Sequence, residues 1–149
     1  MRIPLAEVAA AGPQILSRIP YRFQMQVPPL ASGDLRALIP GDATVERLVI
    51  RFYPGPELQL LVDPHIERRD GGRQELIHYT GTRGITGDND ILEFFLALPV
   101  RLDEQLVVFY HNRHATLAYH FTVTMELDFA GGVWRWPYSV GGDTYVRNR

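Results

Sequence analysis

The sequence contains neither cysteine nor lysine, and all 15 of its basic residues are arginine. Without cysteine the chain can form no disulfide and offers no thiolate for catalysis or metal binding, and its compartment is left undetermined. Without lysine it can perform no Schiff-base or lysine general-base chemistry. Genomic base composition is one explanation for this choice of cation. With either origin, arginine makes bidentate, weakly hydrated contacts that suit protein interfaces.

Long hydrophobic runs and catalytic motifs are missing as well. No stretch approaches the roughly 18 consecutive apolar residues that a membrane span needs, and Glu7 interrupts the apolar start, so we expect neither a transmembrane segment nor a signal peptide. There is no nucleophile elbow, phosphate-binding loop or dinucleotide fingerprint. The net charge of −2 and the pI near 6.2 give no electrostatic reason to expect a nucleic-acid partner. We therefore expect no enzymatic activity and no cofactor.

The clearest pattern that is present is a strand. Within the segment from Thr116 to Phe129, the residues from Tyr119 onwards alternate strictly between apolar and polar, with no helical period. This predicts a long strand with one buried and one exposed face. The predicted buried face comprises Tyr119, Phe121, Val123, Met125, Leu127 and Phe129, and the exposed face His120, Thr122, Thr124, Glu126 and Asp128.

Similar alternation predicts about eight strands in one domain spanning residues 19–129. The segment YPGPE at Tyr53–Glu57 predicts a hairpin between the strands on either side, and Asp70-Gly71-Gly72 predicts another. The mostly apolar segment Ile91–Val100 is expected to be buried on both faces. The fold class is all-β: an antiparallel two-sheet sandwich, with a single jelly roll as first choice, an immunoglobulin-like Greek key as second and a closed barrel as third.

Two terminal arms are expected to flank this domain. The first arm comprises residues 1–18, where the pattern predicts a short apolar helix that ends at Gly12-Pro13. The second arm comprises residues 130–149, because Gly131-Gly132 is expected to end the last long strand. Trp, Tyr and Arg dominate interface hot spots, although the tryptophans could instead close the core. The interface candidates are Leu5, Val8, Trp134, Arg135, Trp136, Tyr138 and Tyr145.

Two polar loops are candidates for contacts with a ligand, and a carbohydrate is one possible ligand. The first is the glycine-rich segment 80–90 and the second is HNRHA at 111–115. Their candidate residues are Asp88, Asn89, Asp90, Tyr110, His111, Asn112, Arg113 and His114.

Histidine and carboxylate side chains could also bind a metal ion or act as acid–base catalysts, but each group has a simpler structural interpretation. His111, His114 and His120 could bind zinc only if they converged, and the GDND segment at 87–90 could contribute to a calcium site or form an Asx-stabilised turn. Glu126 and Asp128, about 7 Å apart on one strand face, could flank a glycosidic bond or simply face water. We predict no metal site and no catalytic residues.

The order of segments resembles small jelly-roll virion proteins of the capsid, decoration or spike type from bacterial and archaeal viruses. The resemblance rests on VERLVIRFYPGPELQLLV, GDND, LVVFYHN and YHFTVTMEL, and covers about residues 40–130. It implies a structural protein of a virion that forms homo-oligomers or binds other structural subunits, with terminal arms lacing neighbours together. A carbohydrate- or ligand-binding sandwich is the alternative hypothesis, and a cupin-like enzyme is a weaker third one.

Overall fold

The computed structural model describes residues 14–79, 81, 83–135 and 145–147, with side chains over 17–79, 81 and 83–130. The regular structure in this part of the chain consists of strands. Their bounds are β1 Gln14–Val27, β2 Ser32–Leu38, β3 Ala43–Phe52, β4 Leu60–Glu67, β5 Arg73–Glu75, β6 Ile85–Thr86, β7 Ile91–Val100, β8 Gln105–Asn112, β9 Tyr119–Arg135 and β10 Tyr145–Arg147. No helix in the described segments could cross a membrane.

The strands form two antiparallel sheets. The first sheet has the order β1-β9-β3-β7, with β10 paired to the end of β9, and the second has the order β2-β8-β4-β5, with β6 also paired to β4. The predicted all-β sandwich is therefore confirmed.

The pairing pattern is that of a single jelly roll. β1 pairs with β9, β2 with β8, β3 with β7, and β4 with β5 and β6. The chain thus forms one long two-stranded ribbon, and successive pairs of that ribbon lie alternately in the first and second sheets. Contacts between β3 and β9 and between β4 and β8 then join the pairs side by side. Winding of a paired ribbon into two sheets distinguishes this fold from the immunoglobulin-like alternative.

β9 lies at the centre of the first sheet, between β1 and β3. The predicted buried residues of this strand, from Tyr119 to Phe129, are all in the core, where they pack with inward residues of both sheets. On the opposite face Thr122 is also buried, whereas His120, Thr124, Glu126 and Asp128 are only partly so. The alternation therefore identified both the strand and its inward face, because burial on one side of a pleat imposes a period of two.

The two predicted hairpins have opposite outcomes. The β4–β5 hairpin across Asp70-Gly71-Gly72 is confirmed, with Gly71 at a φ of 84°. The predicted hairpin between β3 and β4 is wrong, because these strands belong to different sheets. The connection at 53–59 instead crosses the end of the sandwich, with positive φ at Gly55, Glu57 and Leu58.

The prediction for β7 is also wrong. This strand is the edge of the first sheet, and its outer face, which includes Ile91 and Phe95, is exposed. Its inner face, from Leu92 to Leu98, is only partly buried. An apolar composition indicates that burial of a strand is favourable, but it does not indicate whether the burying residues belong to the same chain.

The strands at both ends run beyond the predicted domain limits. β1 begins at Gln14 rather than Ile19, and β9 continues to Arg135 rather than ending at Gly131-Gly132, since Leu16 and Val133 are partners in the β1–β9 ladder. Gly131 and Gly132 therefore lie within β9, where the β1–β9 ladder shifts register between Arg18 and Leu16. The proposed N-terminal helix, with Leu5 and Val8, lies outside the described residues.

Candidate functional site

The loops at one end of the sandwich use their polar groups to hold each other. Asp88 accepts a hydrogen bond from the backbone N–H of Gly55 at 2.7 Å, and Asp90 accepts one from the backbone N–H of Asp88 at 2.8 Å. Asn89 adopts a left-handed conformation with a φ of 55°. GDND is thus an Asx-stabilised turn that is tied to the crossing between β3 and β4.

Asn112 is the internal support of the neighbouring loop. Its fully buried side chain donates to the carbonyl oxygens of Val27, Pro28 and Leu117 at 3.2, 3.2 and 2.8 Å. Its amide oxygen accepts the backbone N–H of His114, whose Nδ1 accepts those of Thr116 and Leu117 at 3.1 and 3.0 Å. These polar atoms of Asn112 and His114 therefore fix the backbone of the loop.

The remaining residues of this loop do not converge on one point. Tyr110, one of the loop candidates, is only 8% exposed, so its ring lies in the core and not on the loop surface. Arg113 donates to the carbonyl of Leu58 at 2.8 Å, and the His120 ring packs 4.7 Å from that of Tyr53. No group of three potential metal ligands occurs among the residues that the structure describes.

The outer face of the second sheet carries a charged cluster that the sequence analysis missed. At its centre is Asp63, whose side chain is 2% exposed. Arg73 donates to Oδ2 of Asp63, and the hydroxyl of Tyr79 lies 3.2 Å from Oδ1. Glu75 accepts from Arg73 and forms an ion pair with Arg83 at 3.2 Å. These contacts attach the segment from β5 to β6 to β4 through charge pairs, since β5 and β6 are too short to hold it by backbone bonding alone.

This environment shifts two protonation equilibria. Burial, followed by the negative charge of Glu75, raises the pKa of Tyr79 to about 12, so its hydroxyl stays protonated and can donate to Asp63. Burial lowers the pKa of His65, which is directly opposite Glu75 in the β4–β5 ladder. Burial outweighs the nearby carboxylates at His65, because the sheet face is covered there.

The shift at His65 predicts a pH-dependent stability. Its folded-state pKa lies below the ordinary value of about 6.5, so the unfolded chain binds more protons, and the free energy of unfolding should fall as the pH drops below that value. His65→Gln should lessen this fall in urea titrations between about pH 5 and 7. His78→Gln, at an exposed histidine, is the matched control and should keep the wild-type slope. An unchanged slope in His65→Gln would refute the assignment.

A third group of charges lies at the opposite end of the sandwich. A hollow of about 590 Å³ is lined there by Arg68, Arg69, Asp70, Pro99, Arg101 and Glu104. Arg68 pairs with the buried Glu104 at 2.7 Å and donates to the Pro99 carbonyl at 3.0 Å, while Arg69 pairs with Asp103 at 2.6 Å. These bonds tie the β4–β5 turn to the end of β7.

The edge of the first sheet presents the most conspicuous apolar surface. Phe95 is 77% exposed and Ile91 is 64% exposed, both on β7. The only charged residue within this strand, Glu93, is paired with Arg47 at 2.8 Å. Large apolar side chains on an edge strand favour contact with another chain. We call the strand from Ile91 to Val100, with its free side, the β7 edge.

The aromatic interface candidates near the C-terminus are only partly described. Trp134 and Arg135 lie in β9 and Tyr145 in β10, with Tyr145 opposite Arg135 and Trp134 opposite Val146. Trp136 and Tyr138 lie outside the described residues, as do Leu5 and Val8. Their role in an interface stays a prediction.

Comparison with known proteins finds slight likenesses to viral structures. No family model matches the chain, and no curated protein matches it. A chain in the structure of the infectious bursal disease virus Gt strain is 15% identical, with a TM-score of 0.38 over 80% of this chain and 33% of that one. A chain of the Gx strain is 10% identical, with a TM-score of 0.30 over 76% of this chain and 33% of that one. The protein thus spans about a third of the length of these solved chains.

Proposed function

We propose that the protein is a structural jelly-roll subunit of a virion, of the capsid or capsid-decoration type, that associates with copies of itself along the β7 edge. The observation that carries the assembly is the exposure of Phe95 and Ile91 on an edge strand whose outer side has no partner in the described part of the chain. The jelly-roll pairing and the resemblance of the strand segments to virion proteins support the virion assignment. The terminal arms are proposed to add further contacts between subunits.

The free energies of burial and of association favour an interface larger than the side chains of Phe95 and Ile91 alone. Burying one large apolar side chain contributes about 1.5–3 kcal/mol, so two from each copy contribute about 6–12 kcal/mol. Association costs about 4–15 kcal/mol in lost rotational and translational freedom. The half-buried inner residues Leu92, Phe94, Leu96 and Leu98, together with strand-to-strand hydrogen bonds, would supply the surplus.

Three features make a second copy the best occupant of the β7 edge. A two-fold contact places the same apolar strip against itself, so one exposed patch is sufficient. The one charged residue on the strand, Glu93, is already paired with Arg47, so an antiparallel copy would meet no unpaired charge between Ile91 and Leu98. Arg68 already occupies the Pro99 carbonyl, which leaves the stretch Ile91–Leu98 for pairing.

Sedimentation velocity at micromolar concentration tests this proposal. The wild-type protein should sediment as a dimer or larger species. The double variant Ile91→Asp/Phe95→Asp should sediment as a folded monomer, because it places four charges in a two-fold apolar interface.

Leu117→Asp is the control, since Leu117 is a similarly exposed apolar residue on a loop. It should associate like the wild type. A monomeric wild-type protein would refute self-association, and equal effects of the two changes would refute the location.

A further inference from the structure

A hollow of about 510 Å³ crosses the outer face of the second sheet, away from the β7 edge. Its lining combines apolar, hydroxyl, imidazole and charged groups: Ser32, Leu61, Asp63, Arg73, Arg83, Phe109 and His111. Pockets that bind small ligands commonly have volumes of about 300–1,000 Å³.

Most of this lining is fixed by strand register. Ser32 on β2 is directly opposite His111 on β8, which in turn is opposite Leu61 on β4. In the next outward row, Phe109 is opposite Asp63. Residues on three adjacent paired strands therefore form the base, and positions on paired strands are held more rigidly than positions on loops.

The floor of the hollow is apolar. Phe109 and Leu61 are both half-buried on the outward face of the sheet. A half-buried phenyl ring offers a flat surface on which the C–H groups of a sugar ring can stack.

The rim is rich in hydrogen-bond donors. Arg83 is held at Nε by Glu75 at 3.2 Å, while its side chain is 61% exposed. Within the described part of the chain, the terminal nitrogens of Arg83, the Ser32 hydroxyl and the His111 ring have no hydrogen-bond partner. The one carboxylate in the lining, Asp63, already accepts from Arg73 and Tyr79.

A glycine places Arg83 over this floor. Gly84 has a φ of 107°, and a Cβ at this position would lie 2.5 Å from Cδ2 of Leu61. Only glycine combines this left-handed backbone with so close an approach to the sheet. The backbone beside Arg83 is thereby held against Leu61 in the floor of the hollow.

We propose that this hollow binds an acidic sugar unit, with the ring against Phe109 and the carboxylate on Arg83. Free donors outnumber free acceptors, so the matching ligand is acceptor-rich. A planar carboxylate fits the two terminal nitrogens of a guanidinium group. Ser32 and His111 lie across the floor from Arg83 and can bind ring hydroxyls. This site goes beyond assembly and does not depend on it.

Calorimetric titration with methyl glucuronide and methyl glucoside tests the proposal, because the two probes differ in the carboxylate. The glucuronide should bind at least about tenfold more tightly. Arg83→Gln should remove this preference. Phe109→Ser should weaken both probes, with circular dichroism as the check on folding. Arg22→Gln, at an exposed arginine of the first sheet, should bind like the wild type.

Inorganic phosphate provides the remaining arm of the test. Suppose that phosphate displaces the glucuronide, that the glucoside does not bind, and that Phe109→Ser leaves glucuronide binding unchanged. The sugar ring then contributes nothing to binding, the hollow is a simple anion site, and the proposal is overturned. Absence of glucuronide binding, or binding that Arg83→Gln leaves unchanged, also overturns it. Because the β7 edge lies in the other sheet, the monomeric variant Ile91→Asp/Phe95→Asp should bind normally, which separates failure of this site from failure of assembly.

Discussion

Replacing Arg73 with alanine is expected to lower the free energy of unfolding by about 3–5 kcal/mol. Asp63 is almost wholly buried and Arg73 is its cationic partner, so the variant leaves a charge in the sheet face with only the hydroxyl of Tyr79 to stabilise it. Arg73 also bonds to Glu75. The expected loss is therefore mainly the cost of an uncompensated buried carboxylate, measured by urea denaturation at neutral pH.

Arg69→Ala is the matched control, since it removes an arginine from an ion pair with Asp103 in which both side chains are exposed. Exposed pairs contribute about 0–1 kcal/mol. Equal losses in the two variants would show that the Asp63 cluster does not anchor the segment from β5 to β6. Asp63→Asn combined with Arg73→Met removes both charges and should recover part of the loss, because no charge is then left buried alone.

The second large effect is expected at Phe121, where alanine should cost about 3–5 kcal/mol. Phe121 lies on the inward face of the central strand β9 and is fully buried between the sheets. The truncation removes apolar contacts and leaves a cavity that a two-sided sheet interior can only partly close. Thermal and urea unfolding should both report the loss.

Phe95→Ala is the control for this prediction, because it deletes the same side chain at an exposed position of the same sheet. Its effect on the unfolding of the monomer should stay within about 0.5 kcal/mol, whereas its effect on association should be large. A loss at Phe95 as great as that at Phe121 would mean that the outer face of β7 is covered by its own chain.

Local sequence pattern predicted the elements in which burial on one side is enforced. The alternation from Tyr119 to Phe129 identified the inward face of β9 because each buried residue faces the same core. The β4–β5 hairpin was predictable since Gly71 supplies the positive φ that a tight reversal requires. Both features are determined by residues that are close together in the sequence.

Features set by the winding of the ribbon were not predictable in this way. The segment after Phe52 has the proline and glycine of a hairpin turn, yet it crosses between sheets, because β3 finds its partners in β7 and β9. Asp63 carries a charge, and charged residues are mostly exposed. It is buried because Arg73 and Tyr79, 10 and 16 residues away, cover that face. No local signal carries that information.

The β7 edge also shows that local sequence pattern does not determine which surfaces the chain covers. Its apolar sequence predicted burial on both faces, and the chain itself leaves the outer face of β7 exposed. The prediction of burial on both faces and the proposal of self-association thus rest on one property of Ile91–Val100. They differ only in which chain supplies the contact.

Cysteine cross-linking locates the contact between copies most directly, because the chain has no natural cysteine to compete. Ala97→Cys places a thiol on the exposed face of the β7 edge, and Ala115→Cys places one on an exposed loop. In a two-fold pairing of Ile91–Leu98 the two Ala97 positions lie about five residues apart along the strands, or about 17 Å. With a thiol–thiol cross-linker that reaches about 20 Å, Ala97→Cys should give a covalent dimer by intact mass and Ala115→Cys should remain monomeric. A monomer from Ala97→Cys, or equal dimer yields from both variants, would contradict assembly along the β7 edge.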